Sequence, residues 1–126
     1  MVQYNDIEIL EQKAAGDLWA AETIIEKDDE RLELIGFHLQ QHAEKKMKAD
    51  LQRHDIDYPK THDLVTLLRL FPQKNISDED EEFASILTRF AAESRYVDYF
   101  IPPFDGQQLI ERTKKLTELT KTLWSD

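Results

Sequence analysis

The chain has no cysteine among its 126 residues. That absence excludes disulfide scaffolds, thiolate metal sites and cysteine nucleophiles. Glycine and proline are scarce, at three and four. An all-β fold spends these residues on its turns, so the composition points away from strands. No apolar stretch approaches the roughly 20 residues that a membrane helix needs. Positive charge is also in short supply: 16 Lys and Arg stand against 26 Asp and Glu, for a net charge of −10. A general binder of nucleic acid or of acidic membranes carries a basic surface, and this chain carries the opposite. Residues 1–10 hold Asp6 and Glu8 and lack the basic-then-apolar pattern of a secretory leader. A cytoplasmic protein is the resulting expectation.

What is present describes one globular domain over residues 1–126. An apolar fraction of 40% beside a charged fraction of 33% is that of a chain able to bury a core without staples. The charge is unevenly spread. Residues 1–33 carry −7 and residues 75–126 carry −5, whereas residues 34–74 carry +2 and all four histidines, His38, His42, His54 and His62. An anion site is therefore sought in the middle of the chain first.

Apolar residues recur at three- and four-residue steps, the period of a helix with one buried face. Ile7, Leu10, Ala14, Leu18, Ala21 and Ile25 predict a first helix over 5–27. Leu32, Gly36, Leu39, Ala43 and Met47 predict a second over 30–53, with Gly36 leaving room for a close neighbour. Thr61 is expected to cap a short third helix bearing Leu64, Leu67, Leu68 and Phe71, which Pro72 ends. Ser77 and Asp80 form the start signal of a fourth helix over 78–96. Its core face carries Phe83, Leu87, Phe90 and Ser94. A second side, Ala84, Thr88, Ala91 and Arg95, is small enough to admit another helix. Asp105 and Gln108 read as a capping box, with Phe104 and Leu109 as its hydrophobic staple. They open a last helix carrying Leu109, Thr113, Leu116, Thr120 and Leu123. Trp19 and Trp124 read as packing residues. The expected fold is all-α: an up-and-down helical bundle of four long helices plus one short helix.

The second helix has a further, polar face. Phe37, Gln41, Glu44 and Lys48 form one row, flanked by His38 and Lys45, and Glu44 and Lys48 stand at the i, i+4 spacing of an ion pair. This row reads either as a polar interface or as a site for a phosphate or a base. His62 at the third helix is the remaining titratable candidate. His38 and His42, four apart, supply only two ligands, so no metal and no cofactor are expected. No glycine-rich phosphate loop, nucleophile elbow or zincin motif is present.

The stretch from Phe37 to Leu51, with its Gln-x-x-Glu-Lys core at Gln41, Glu44 and Lys45, resembles the second helix of HEPN domains. Thr61-His62-Asp63-Leu64 followed by Leu67-Leu68 is similar to that family's T-H-D-L…L-L segment, and Arg95-Tyr96 to its R-Y pair. The resemblance runs over about residues 10–124. It implies a helical bundle that forms a homodimer, associated with nucleotide binding and often paired with a minimal nucleotidyltransferase in a toxin–antitoxin-like system. Together with the polar row and His62, it gives Gln41, Glu44, Lys45, Lys48, His62 and Arg95 as the expected ligand-binding residues. Some members are metal-independent ribonucleases that use an Arg, four to six residues, then a His. Arg95 matches the Arg, but positions 100, 101 and 102 are Phe100, Ile101 and Pro102. The expectation is therefore a non-catalytic module that dimerises and binds a nucleotide, RNA or a nucleotidyltransferase. One alternative is a ribonuclease toxin in which Arg95, His62 and Glu44 meet across a dimer; the other is a ligand-free structural dimer.

Overall fold

The structure, a computed structural model, describes residues 4–91 and 103–124. Among the described residues five helices follow in order: α1 (Tyr4–Lys27), α2 (Leu32–Arg53), α3 (Leu64–Leu68), α4 (Asp78–Thr88) and α5 (Gly106–Thr122). There is no strand among the described residues. The all-helical architecture, four longer helices and one short one, is the expected one.

Helices α1 and α2 form an antiparallel hairpin. Glu11 bonds Lys46, Ala14 bonds His42 and Asp17 bonds His38, so numbers rise along one helix as they fall along the other. Ala14, Ala21, Leu39, Ala43 and Met47 are fully buried between them and the rest of the bundle. Helix α2 is the central element and packs against each of the other helices. Small residues on α1 let the two axes approach. Helix α5 closes the core with Leu109, Thr113, Leu116 and Thr120, followed by Leu123 at its C-cap, all buried. Its buried threonines satisfy their hydroxyls on preceding carbonyls, Thr113 on Leu109 and Thr120 on Thr117.

Both expected capping boxes form. Ser77 Oγ accepts from the Asp80 amide at 3.1 Å and Asp80 returns the bond at 2.9 Å. Asp105 and Gln108 do the same at 2.8 and 3.0 Å. The cap of α3 is different from the one expected. Asp63, not Thr61, accepts the Val65 amide, and the Thr61 hydroxyl instead accepts the amide of Asp63. Helix α2 begins at Leu32 rather than 30, after a turn in which Asp28 accepts the Glu30 amide and pairs with Arg31.

Helix α4 ends at Thr88, well before the expected residue 96. Arg89, Phe90 and Ala91 each donate to the carbonyl three residues back, a tighter winding that closes the helix. That turn sends Phe90 against α2, where the missing Cβ of Gly36 makes room for its ring. The small side of α4 is used within the chain. Ala84 is fully buried, and the Thr88 hydroxyl takes the amide of Leu64 at the start of α3 while donating to Ala84. The described part of that side therefore packs within the chain itself. Ser94, Arg95 and Tyr96 lie outside the described residues. Trp124 packs as expected, stacked on His54 with ring centroids 4.0 Å apart, but Trp19 is 69% exposed and packs on nothing in the core.

Candidate functional site on α2

The polar face of α2 is built by the way its C-terminus turns back. Asp55 adopts the left-handed conformation (φ 56°). The Ile56 amide then reaches the Leu51 carbonyl and the Asp55 amide that of Gln52, a Schellman closure. The following loop is thereby laid along α2 and tied down step by step. Gln52 donates to the Tyr58 hydroxyl at 2.6 Å, and the Lys48 ammonium lies 5.5 Å from the Tyr58 ring centroid. Further along, Gln40 donates to the backbone carbonyl of His62 at 2.9 Å.

These ties bring His62 onto Glu44. The buried Glu44 carboxylate accepts from His62 Nδ1 at 2.9 Å and from Gln40 Nε2 at 3.1 Å on one oxygen. Its other oxygen accepts from Lys48 Nζ at 3.1 Å. Three donors on one buried carboxylate satisfy the charge that burial would otherwise penalise. Gln41 joins through its amide, which donates to Gln40 Oε1 at 2.7 Å. With Nδ1–H donating to the carboxylate, the other ring nitrogen of His62 is left for other partners, on a side chain that is 65% exposed.

Lys45 belongs to a second cluster. It donates to Asp17 of α1, whose other oxygen accepts from His38 Nδ1 at 3.0 Å. The two clusters have the same composition: one carboxylate, with a lysine on one oxygen and a histidine Nδ1 on the other. Helical spacing of about 100° per residue places Gln41 between them on the same face. Of the six residues expected to bind a ligand, Gln41, Glu44, Lys48 and His62 form one network and Lys45 the neighbouring one. Arg95 lies outside the described residues. Pattern alone did not single out Asp17, Gln40 or Tyr58 for this face. Gln40 is two residues from His38 and four from Glu44, and its role appears only once the loop is folded back.

His42 is no partner of His38. It is buried and donates from Nδ1 to the Ala14 carbonyl at 2.7 Å. Burial pushes its pKa below the ordinary 6.5, with that carbonyl, Asp17 and Glu11 acting the other way and Lys46 reinforcing it. Among the described residues no group of three or more His, Asp or Glu is arranged to hold a metal ion. No described helix is long and apolar enough to cross a membrane.

An all-helical domain with a charged face on its second helix, closed by a returning loop, defines a class of small helical bundles rather than an activity. Within that class the assignment is direct: the chain belongs to the HEPN domain family, whose model matches residues 7–123. No curated protein and no solved structure matches it.

Proposed function

We propose that this HEPN domain is a non-catalytic binding module. It pairs with a second copy of itself and receives a nucleotide or RNA on the polar face of α2, in a system that also contains a minimal nucleotidyltransferase. The observation that supports this reading most is the Glu44 node. Residues 18 apart in sequence, Glu44 and His62, meet at 2.9 Å on a support of buried Gln40. His62 itself is mostly exposed, so it adds little to the core; its ordered nitrogen is more useful to a ligand than to packing. Lys48 and Gln41 stand beside it as further donors. The family's Arg-to-His ribonuclease spacing is not met after Arg95, which supports binding over cleavage.

The test is titration of a fluorescent AMP analogue and of a labelled RNA oligomer, with light scattering on the same sample. The expected result is a dimer that binds at least one of the two. A protein that binds neither fails the ligand reading, and a monomer at micromolar concentration fails the pairing. Metal-free cleavage of the RNA, lost in Arg95→Ala, would replace the module with the ribonuclease alternative.

A further inference from the structure

The outer side of α1 is a surface that the α2 site leaves unused. Among the described residues two large apolar side chains are exposed, Ile9 and Trp19, and both stand on this helix. Trp19 belongs to a regular row. Glu8, Gln12, Ala15, Trp19, Glu22 and Glu26 follow one another at steps of four, three, four, three and four, and all six are exposed. That spacing sets them in one line along the helix, about 27 Å from end to end. The middle of the line is small and apolar. Ala15 stands there beside Gly16, where a Cβ would meet nothing within 4 Å, one turn before the 69% exposed Trp19. The ends are acidic. Neither Glu8 nor Glu26 has an ion-pair partner among the described residues, and Glu22 has only a half-exposed contact with Lys114 of α5 at 3.3 Å. The acids that α1 turns inward are already used, Glu11 on Lys46 and Arg53, and Asp17 on Lys45. At the Glu8 end the row borders an open hollow of about 490 Å³ that Ile7 and Gln12 also line.

An exposed tryptophan among small residues holds a large apolar area in water, and tryptophan is the side chain that most often anchors a protein contact. Alternating steps of four and three form the seam along which one helix packs beside another at about 20°. We propose that this row docks an amphipathic helix of a partner protein. The helix sets apolar side chains against Ala15, Gly16 and Trp19, and carries Lys or Arg beyond each end of that patch, facing Glu8 on one side and Glu22 and Glu26 on the other. Charge selects this occupant over a second copy. In an antiparallel self-pairing Ala15 meets Trp19, and Glu8 of each copy meets Glu26 of the other. A parallel self-pairing sets every glutamate against its own counterpart. Both juxtapose carboxylates, whereas a basic helix neutralises them and is drawn in by the net −7 of residues 1–33. The self-pairing proposed above therefore uses another surface, and the docking row stands independently of any ligand on α2.

The probe is a synthetic helical peptide of about 18 residues, labelled for anisotropy, with leucine at four-three steps in its middle and lysine in its outer turns. Its control carries glutamate in place of every lysine. The expected result is micromolar binding of the lysine peptide, weakened by salt, and no binding of the glutamate peptide. In proton–nitrogen correlation spectra the indole N–H of Trp19 shifts on binding while that of Trp124 stays in place. Trp19→Ala is expected to weaken binding by about tenfold or more, and Glu8→Lys combined with Glu26→Lys by a similar factor. These side chains are exposed, so the thermal midpoint is expected to hold in both variants. The same charge change on α4, Glu79→Lys with Glu82→Lys, is expected to leave most of the affinity. A Trp19→Ala protein that binds like the parent, or an α4 variant that loses as much as the row variant, means attraction by bulk charge and overturns the docking row. A lysine peptide that fails to bind at about 100 micromolar overturns it as well. Light scattering supplies the last arm: the oligomeric state is expected to be the same in parent and Trp19→Ala. A dimeric parent made monomeric by Trp19→Ala would seat a second copy on this row and overturn the proposal.

Discussion

The Glu44 carboxylate holds His62 Nδ1 at 2.9 Å on one oxygen and Lys48 Nζ at 3.1 Å on the other, while its own side chain is only 7% exposed. A single charge thus fixes the helix, the returning loop and an exposed imidazole. Glu44→Ala strips the acceptor from three donors at once, two of which water reaches poorly. The expected loss is about 2–3 kcal/mol of stability, read as a fall in the urea midpoint at unchanged m-value. His62→Ala is expected to cost under about 1 kcal/mol, because its ring is mostly in solvent. Equal losses from the two variants would mean that the loop, not the carboxylate, carries the energy.

Gly36 and Gly16 make a matched pair with opposite expectations. Both lie inside long helices, where Gly→Ala ordinarily gains about 1 kcal/mol. A Cβ on Gly16 meets nothing within 4 Å, so Gly16→Ala is expected to stabilise by roughly that amount. A Cβ on Gly36 overlaps the Phe90 ring, including its inner carbon, which cannot swing away without moving the turn after α4. Gly36→Ala is therefore expected to lose about 1–2 kcal/mol net, after the propensity gain is set against the overpacking cost. Thermal denaturation of the two single variants checks both signs.

The left-handed Asp55 offers a stabilising change that also probes the site. Glycine adopts φ 56° without steric cost, so Asp55→Gly is expected to gain a few tenths to about 1 kcal/mol. If that turn is what delivers His62 to Glu44, the variant keeps ligand binding unchanged while the urea midpoint rises. A variant that gains stability and loses binding would show that the Asp55 side chain contributes to the ligand face itself.

The helices were legible in the sequence because their signals are local. Ser77 with Asp80, and Asp105 with Gln108, announce their helices within four residues, and both capping boxes form. The row Gln41, Glu44, Lys48 was likewise readable from spacing, and the family's second-helix pattern marked the same stretch. What was not legible depends on contacts between distant segments. The end of α4 at Thr88 follows from Phe90 seating against Gly36, more than 50 positions away in the chain, and from Thr88 bonding Leu64. Asp17 gave no sign of belonging to the polar face, since on α1 it looks like any solvated acid until the hairpin sets it between His38 and Lys45. Lys45 flanks that row in the sequence, but its partner, Asp17, lies on another helix.

Two buried titratable groups give the fold a pH dependence of opposing signs. His42 is held below 6.5 chiefly by burial, so the unfolded chain takes its proton first as pH falls. Its share of stability is complete above 6.5 and is lost as pH drops from there through the folded value. Asp50 is shifted the other way: burial raises it above 3.8, outweighing Lys46 and Arg53, and its Oδ2 is buried without a partner. The folded chain therefore takes the Asp50 proton first. Its contribution is favourable below 3.8 and is lost as pH rises through the folded value, so at neutral pH the ionised group is a cost. Two variants separate the effects. His42→Gln keeps a donor for the Ala14 carbonyl and removes the charge, so its urea midpoint is expected to fall less than the parent's between about pH 7 and pH 5. Asp50→Asn is expected to be more stable than the parent near neutral pH, despite losing the Arg53 ion pair, and to lose that advantage on acidification. An Asp50→Asn protein less stable at neutral pH than the parent would show that the Arg53 pair outweighs the desolvation of the carboxylate.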